Sequence, residues 1–246
     1  MISIKVILFV LYLVFCHKTT PVSHPIRFYY QSIKGLLPSR FRKNKDVTKF
    51  NSFNLDSPDK LFKYVTWHSR VSPLEIDLFM HKNNSTYFVD LDIARTKLLV
   101  RLFQQYWWNA YENKSGEFGK IQNSFGNIPY TPLGTVQCLF KRELTIFEKY
   151  DVNSRILAWD KKWLFVLSTF TTIDPKTKGK RTNAIALTKY VFKKKRLTVP
   201  PAEYLGYCNL LDEKNEEINA RNYDLVKHMI DTGDLDALAE EFLKQT

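Results

Sequence analysis

Cysteine is scarce in this sequence. Three occur among 246 residues, at Cys16, Cys138 and Cys208, and no two of them stand at the short spacing of a zinc site or a disulfide framework. Because free cysteine is usually buried as a small apolar residue, we expect all three to be packing residues. We predict neither a bound metal nor a cofactor.

A long apolar run is also missing. The longest, VILFVLYLVFC at residues 6–16, has eleven residues, whereas about 20 are needed to cross a bilayer as a helix. Starting at residue 2, with the Lys5 side chain reaching the headgroups, lengthens the segment to about fifteen residues. It is either a cleaved signal peptide or a retained anchor, and no small-residue cleavage site follows it directly. We assign residues 1–20 to a retained signal anchor.

Acidic residues are almost absent from the first fifty residues, which carry one acid against nine lysines and arginines, whereas residues 210–246 carry ten acids against four. Positive charge following an anchor stays in the cytosol, so we expect an endoplasmic reticulum membrane protein whose body faces the cytosol. Residues 21–60 are interpreted as a basic juxtamembrane linker, either resting on anionic headgroups or simply solvated. The net charge of +12 is scattered rather than arranged in one stripe, so no nucleic-acid partner is expected.

One long helix dominates the body. The sequence YVTWHSRV at residues 64–71 alternates as a strand does, and Asn83 or Asn84 then offers an N-cap to a run without glycine or proline until Gly116. The helix is predicted to reach about Tyr106. Its apolar positions form a wide buried stripe, and its basic positions are expected to keep one edge exposed; the two sets are Leu91, Ala94, Leu98 and Leu102, and Arg95, Lys97 and Arg101.

After a glycine-rich loop or flap at residues 116–134, four more strands are predicted, in TVQCLFKREL, SRILAWD, WLFVLSTFTTI and NAIALTKYVFKK. The last three are expected to pair antiparallel. One strand, one long helix and four strands form an α+β arrangement in which an antiparallel sheet of about five strands curls around the helix. Residues 209–246 are predicted to be an acidic tail of two amphipathic helices, with Leu225, Val226 and Met229 on the apolar face of the first.

The loop before the helix carries a distinctive motif, DLFMHKNNSTYFVDLDIAR, at residues 77–95. It resembles the acid loop and helix start of the 4-hydroxybenzoyl-CoA thioesterase-like family, whose members often read D-x-x-G-H-x-N-N-x-x-Y. Within that family it is most similar to the branch typified by thioesterase superfamily member 6. The resemblance identifies residues 61–208 as a hotdog domain and leaves both ends of the chain unexplained.

The resemblance implies hydrolysis of an acyl-CoA thioester. The acid of this loop, here Asp77, acts in such enzymes as general base or nucleophile, while amides at the helix start hold the thioester carbonyl. His81, Asn83, Asn84 and Tyr87 are the matching candidates for substrate binding. Active sites of the family lie between subunits, so a homodimer or homotetramer is expected.

Two residues depart from the family pattern. Met80 stands where many members have glycine and is expected to fill space beside the acid. Lys82 adds a positive charge that we expect either to hold Asp77 ionised or to orient a phosphate. Candidates for binding CoA phosphates are Lys141 and Arg142 and the basic run from Lys193 to Arg196, or else these residues form a solvated strand end.

Two functions follow for the whole chain. The first is a membrane-anchored fatty acyl-CoA thioesterase. The second is an inactive hotdog module that binds acyl groups or a protein partner at the membrane, in which Asp77 serves only the entry into the helix, as acids before helices often do.

Overall fold

A computed structural model describes residues 3–41, 61–229 and 241. Its helices are α1 (Ile4–Cys16), α2 (Ser23–Phe41), α3 (Asn84–Glu112), α4 (Pro201–Tyr207) and α5 (Glu213–Val226). Its strands are β1 (Val65–Arg70), β2 (Leu133–Phe140), β3 (Lys149–Trp159), β4 (Trp163–Ile173), β5 (Lys180–Lys194) and β6 (Leu197–Val199). Single 3-10 turns occur at Pro73–Glu75, Phe125–Asn127 and Lys227–Met229.

The strands form one antiparallel sheet in the order β1-β3-β4-β5-β2, with β6 paired to β5. All five predicted strands are present, and the predicted antiparallel pairing of β3, β4 and β5 is confirmed. The β3–β4 hairpin is tight because the carboxylate of Asp160 accepts the amides of Lys162 and Trp163, at 2.7 and 2.6 Å. Such side-chain bonds to the backbone are what favour Asp in turns.

Helix α3 occupies the concave face of this sheet. The side chain of Asn83 accepts the amide of Ser85 at 2.9 Å and caps the start, while Asn113 ends the helix with a left-handed φ of 46°. The predicted apolar stripe is buried, with no residue of it above 1% exposure; it comprises Leu91, Ala94, Leu98 and Leu102. A curled antiparallel sheet around one long buried helix is the hotdog fold, as predicted.

The predicted exposed basic edge of α3 was wrong at Arg95. This side chain is 2% exposed, and one guanidinium nitrogen donates to Thr188 on β5 at 2.9 Å. Lys97 is half-buried and donates to the carbonyl of Thr66 on β1 at 2.7 Å. Because the sheet curls around the helix, long side chains at the edge of the apolar stripe reach strand acceptors instead of water.

Part of the segment interpreted as a linker is a helix. Helix α2 packs along α3, and the indole of Trp108 donates to the carbonyl of Leu36 at 3.2 Å. Residues 42–60 of the predicted linker lie outside the described residues. Preceding α2, helix α1 keeps its large apolar side chains from Ile4 to Phe15 between 39% and 72% exposed. No helix in the described ranges combines the length and apolarity needed to cross a membrane.

The acidic tail begins as α5, which lies against β3. Its Asn219 side chain accepts the amide of Trp159 at 2.7 Å and donates to the carbonyl of the same residue at 3.1 Å. Val226 is buried, but Leu225 and Met229 are 71% and 58% exposed. The predicted apolar face was therefore wrong in part, because α5 docks largely through asparagines. Most of the second predicted tail helix lies outside the described residues.

Candidate active site

The loop between Glu75 and α3 is closed by backbone bonds. Ile76 and Lys82 form an antiparallel bridge, and the amide of Asp77 donates to the carbonyl of His81 at 2.8 Å. The Oδ1 atom of Asp77 accepts the amides of Phe79 and His81, at 2.8 and 3.2 Å. These two bonds fix the half-buried carboxylate through one oxygen, so Oδ2 is the oxygen that is left to act on a ligand.

The start of α3 follows this loop directly. The Asn83 side chain takes the amide of Ser85, and the Asn83 carbonyl accepts the amide of Thr86 at 3.0 Å. Within the described part of the chain, the amide of Asn84 makes no hydrogen bond. A helix start carries unpaired N–H groups and a partial positive charge. Asn84 therefore presents a donor suited to a developing oxyanion.

The other predicted site residues differ in accessibility. Asn84 is exposed and His81 is half-buried, whereas the side chain of Asn83 is engaged in the helix cap. Tyr87 is 2% exposed and packs against Phe140 and Phe170, with ring centroids 5.1 and 4.8 Å away. Tyr87 therefore supports the helix start from the core, and its predicted role in substrate binding stays a prediction.

Met80 does not fill the space beside the acid, contrary to our expectation. Its φ of 64° lies in the left-handed region, which explains why glycine suits this position. In that conformation the side chain points outward and is 56% exposed. Together with Leu78 and Phe79, which are 97% and 78% exposed, it forms an apolar loop tip.

The predicted role of Lys82 at Asp77 was also wrong. Its ammonium is fully buried and lies 3.1 Å from Glu75 and 2.9 Å from Asp90. A lysine beside two buried carboxylates gains more from pairing with them than from reaching a half-exposed one, since unpaired buried charges are very costly. Lys82 therefore points inward, beneath the acid loop.

Three further residues complete this group, which we call the buried charge network: Lys18, Arg27 and Tyr150 join Glu75, Lys82 and Asp90. Tyr150 donates to Asp90, and Arg27 lies 3.3 Å from it. Burial opposes ionisation of Asp90, but the ammonium groups of Lys18 and Lys82 outweigh it and lower the pKa of the carboxyl to about 2. Burial, reinforced by Asp90, raises the pKa of Tyr150 well above its ordinary value.

Sequence reasoning missed this network, although one signal existed. Asp90 interrupts the apolar stripe of a helix that is otherwise predicted to be buried, and a buried acid requires a partner. The pattern does not reveal that the partners come from positions as distant as Lys18 and Tyr150.

Two of the cysteines outside the acid loop are unsuited to nucleophilic chemistry. Burial raises the pKa of Cys138 to about 11 and that of Cys208 to about 12, so both thiols are protonated at neutral pH and are poor nucleophiles. No group of three or more His, Cys, Asp or Glu side chains within the described residues is arranged to hold a metal ion.

A hotdog domain with an acid loop at the start of its central helix defines the class of this protein. The sequence pattern of the thioesterase-like superfamily matches residues 71–205. A probable thioesterase of Saccharomyces cerevisiae is 34% identical over 245 residues, which cover 97% of this chain and 96% of the yeast protein. The chain belongs to the thioesterase-like superfamily, which confirms the resemblance seen in the sequence.

Two further proteins are similar to this chain. The protein THEM6 of Xenopus laevis is 26% identical over 113 residues, 46% of this chain and 47% of that protein. The solved structure of 4-hydroxybenzoyl-CoA thioesterase from Pseudomonas sp. strain CBS-3 matches with a TM-score of 0.45 and 15% identity, over 59% of this chain and 99% of that one.

Proposed function

We propose that the protein hydrolyses fatty acyl-CoA thioesters at a membrane, with the carboxylate of Asp77 as general base or nucleophile. The observation that carries this proposal is a carboxylate held through one oxygen in the loop that leads directly into the helix start, where the amide of Asn84 is open. The names of the relatives support thioester hydrolysis, since the yeast protein is described as a probable thioesterase.

The chemistry assigned to this pair is acyl transfer to water. Asp77 either takes a proton from a water molecule that attacks the thioester carbonyl or attacks that carbonyl itself and is released by water afterwards. The carbonyl oxygen gains negative charge as the tetrahedral intermediate forms, and the amide of Asn84 donates to it. When water attacks, collapse of the intermediate breaks the carbon–sulfur bond, the proton held by Asp77 passes to the leaving sulfur, and the CoA thiol and the free acid are released. When Asp77 attacks, the same collapse expels the CoA thiolate and leaves a mixed anhydride on Asp77, which water hydrolyses to the free acid.

An apolar cleft supports a fatty acyl group. It has a volume of about 460 Å³ and lies between α2, α3 and the segment that precedes β2; its walls include Phe28, Leu36, Leu99, Trp107 and Ile128. Each methylene group buried in such a cleft contributes roughly 0.8 kcal/mol to binding, so longer chains gain affinity.

The cleft is connected to the helix start along one face of α3. Ser85, Phe88, Asp92 and Thr96 are spaced by three or four residues and therefore share a face. Ser85 is exposed, Phe88 is 39% exposed, and the side chain of Asp92 is 38% exposed. Asp92 and Thr96 already line the cleft, so an acyl chain lying along this face would join the two.

Two exposed basic residues lie close to the acid loop in the chain's topology. Lys141 and Arg142 lie two to three residues before Leu144, whose carbonyl accepts the amide of Lys82 at 2.7 Å. Thr145, the next residue, pairs with His81. The ammonium group of Lys141 and the guanidinium group of Arg142, at this end of the sheet, suit the phosphates of CoA.

A dimer or tetramer is supported by the edge of the sheet. Strand β2 is terminal in the strand order, and Leu133, Leu139 and Phe140 on it are 48%, 58% and 37% exposed. An edge strand with exposed apolar side chains favours pairing with another copy. Light scattering coupled to size-exclusion chromatography tests this assembly.

Anchoring in the endoplasmic reticulum membrane, with the domain facing the cytosol, is supported by the exposed apolar side chains of α1 and by the basic residues that follow it. The sequon at Asn84, which is exposed, gives a test of topology. A cytosolic domain leaves it without a glycan, and carbonate extraction of membranes reports on anchoring.

The deciding experiment measures release of free CoA by the full-length protein in detergent, with acyl-CoA substrates from acetyl to stearoyl. We expect turnover that rises with chain length and that Asp77→Asn abolishes, whereas the exposed Asp224→Asn leaves it unchanged. Absence of turnover on every substrate would overturn the enzymatic proposal. Tight acyl-CoA binding without turnover, unaffected by Asp77→Asn, would instead indicate the inactive binding module.

The cleft is tested separately by Thr96→Trp, which places a large ring in it. We expect turnover of stearoyl-CoA to fall at least tenfold while turnover of acetyl-CoA stays within about twofold, because only the long chain needs the space. Equal effects on both substrates would exclude the cleft as the acyl site.

A further inference from the structure

Two members of the buried charge network, Lys18 and Arg27, come from outside the family domain, and Lys18 is the more deeply buried of the two. The superfamily pattern covers residues 71–205, which includes Glu75, Lys82 and Asp90. Lys18 lies before that range, in the turn between α1 and α2, yet its side chain is only 7% exposed. An ammonium group from the N-terminal segment is therefore built into the interior of the hotdog domain.

Lys18 makes more contacts than a surface lysine does. Its Nζ atom lies 2.9 Å from Glu75 Oε2, 2.9 Å from the hydroxyl of Tyr150, 3.1 Å from the carbonyl of Arg70 and 3.3 Å from Asp90 Oδ1. The neighbouring backbone is fastened too, since the Ser72 hydroxyl donates to the carbonyl of Phe15 at 3.1 Å. The N-terminal segment is thus attached to Ser72 and Glu75, the residues that precede the acid loop.

Glu75 transmits this attachment to the loop. Its Oε2 accepts both Lys18 and the amide of Ser72, at 2.9 and 2.8 Å, and its Oε1 accepts Lys82 at 3.1 Å. Its carbonyl accepts the amide of Asn83 at 2.7 Å. Glu75 therefore touches both ends of the segment that holds Asp77, and a shift of its side chain moves that segment.

The position of Lys18 gives it a specific task. The two buried carboxylates, Glu75 and Asp90, also face the cations Lys82 and Arg27. Arg27 contacts Asp90 and the ring of Trp67, and Lys82 contacts Asp90 and the Oε1 atom of Glu75. Lys18 is the cation that contacts the Oε2 atom of Glu75. Without it, that oxygen keeps the amide of Ser72 but loses its charged partner, so the Glu75 side chain is held less firmly.

We propose that Lys18 is a positioning residue, which holds the Asp77 loop in its working geometry and makes the activity of the domain depend on the N-terminal segment. The catalytic part of this inference rests on the proposed function. The structural part, control of the loop by Lys18, stands independently of it. Removal or displacement of the segment then disorders the Asp77 loop and lowers the activity without any change to Asp77 itself.

The test compares full-length Lys18→Met with Lys34→Met, which removes the same charge from the exposed part of α2. Hydrogen exchange is measured at the amides of Phe79 and His81, which donate to Asp77, and at amides of β4. We expect Lys18→Met to raise exchange at the two loop amides at least tenfold and to leave β4 unchanged, while Lys34→Met changes neither.

Kinetics give the second measurement. For Lys18→Met we expect kcat to fall at least tenfold and KM to stay within about twofold, because the acyl cleft is intact. Unchanged loop exchange would overturn the inference, and so would an equal rise in β4, which indicates loss of overall stability only. If the wild-type protein lacks turnover, the exchange result still decides the loop role.

A second substitution, Lys18→Gln, separates a failure to fold from a loss of loop positioning. Lys18→Gln removes the charge but keeps amide donors for Glu75 and Tyr150, so it perturbs folding less. We expect it to fold and to show raised loop exchange. If both Lys18→Met and Lys18→Gln fail to fold, Lys18 is required for the fold as a whole, and the positioning role is overturned.

Discussion

The Nζ atom of Lys82 lies 2.9 Å from a carboxylate oxygen of Asp90, and neither side chain is exposed to solvent. The two residues connect the end of the acid loop to the interior of α3. Because each charge is satisfied by the other in a region without water, the pair fixes the position at which the loop joins the helix.

Replacing Lys82 with Met is expected to lower the free energy of unfolding by about 3–5 kcal/mol, because the buried carboxylates lose a partner. Urea denaturation followed by circular dichroism measures the change. The matched control is Lys114→Met, which breaks a surface pair 2.8 Å from Glu112 with the lysine 67% exposed and should cost less than about 1 kcal/mol. Similar effects of the two substitutions would contradict a structural role for the buried pair.

The pKa of Asp90 predicts the response to acid. Its carboxyl titrates at about 2 in the folded protein, against an ordinary value of 3.8. A lowered folded pKa stabilises the protein fully above the unfolded value, and this contribution, about 2 kcal/mol, is lost as the pH falls from about 4 through 2. Melting temperatures recorded across this range should fall more steeply for the wild type than for Asp90→Asn, which no longer titrates. Parallel curves would show that Asp90 does not govern the acid transition.

Most of the fold was predictable because it depends on local patterns. Asn83 caps the helix as its residue type suggests, and the alternation in residues 64–71 reports a strand whose inner face meets the core. The end of α3 was predicted too early, at Tyr106 instead of Glu112. The sequence between these residues contains no glycine or proline that marks the boundary, and the helix ends only where Asn113 adopts a left-handed conformation.

The candidate site was predictable only in outline. The position of Asp77 and the helix start follows from the motif, but the direction of Lys82 does not, because its partner Asp90 becomes a neighbour only when α3 packs on the sheet. Lys18 is harder still, since its contacts span 57 residues to Glu75 and 132 to Tyr150. Long-range pairing of buried charges is a property of the assembled fold and leaves no periodic signal in the sequence.

The close approach of α2 to α3 depends on Gly35. A Cβ at this position would lie 2.3 Å from Cγ1 of Val100, which is too close for any carbon contact. Gly to Ala within a helix normally gains up to about 1 kcal/mol, but here we expect Gly35→Ala to lower the melting temperature, because overpacking costs about 1–3 kcal/mol. Differential scanning calorimetry measures the change.

The control for Gly35→Ala is the double variant with Val100→Ala, which removes the clashing carbon. The double variant should lose less unfolding free energy than the sum of the losses in the two single variants, as expected for side chains in direct contact. Additive effects would mean that α2 and α3 do not meet at this point.

The amide of Asn84 can be removed without unmaking the helix. Asn84 is the first residue of α3, a position at which proline is favoured, and the preceding Asn83 already has the extended conformation that proline requires, with φ −59° and ψ 134°. We therefore expect Asn84→Pro to leave the melting temperature nearly unchanged and to lower kcat by about 10²–10³-fold, the usual cost of losing an oxyanion donor. Asn84→Ala, which keeps the N–H, should retain activity within about twofold. If the two variants were equally active, the amide would have no part in the reaction, whereas equal loss in both would assign the role to the side chain of Asn84 instead.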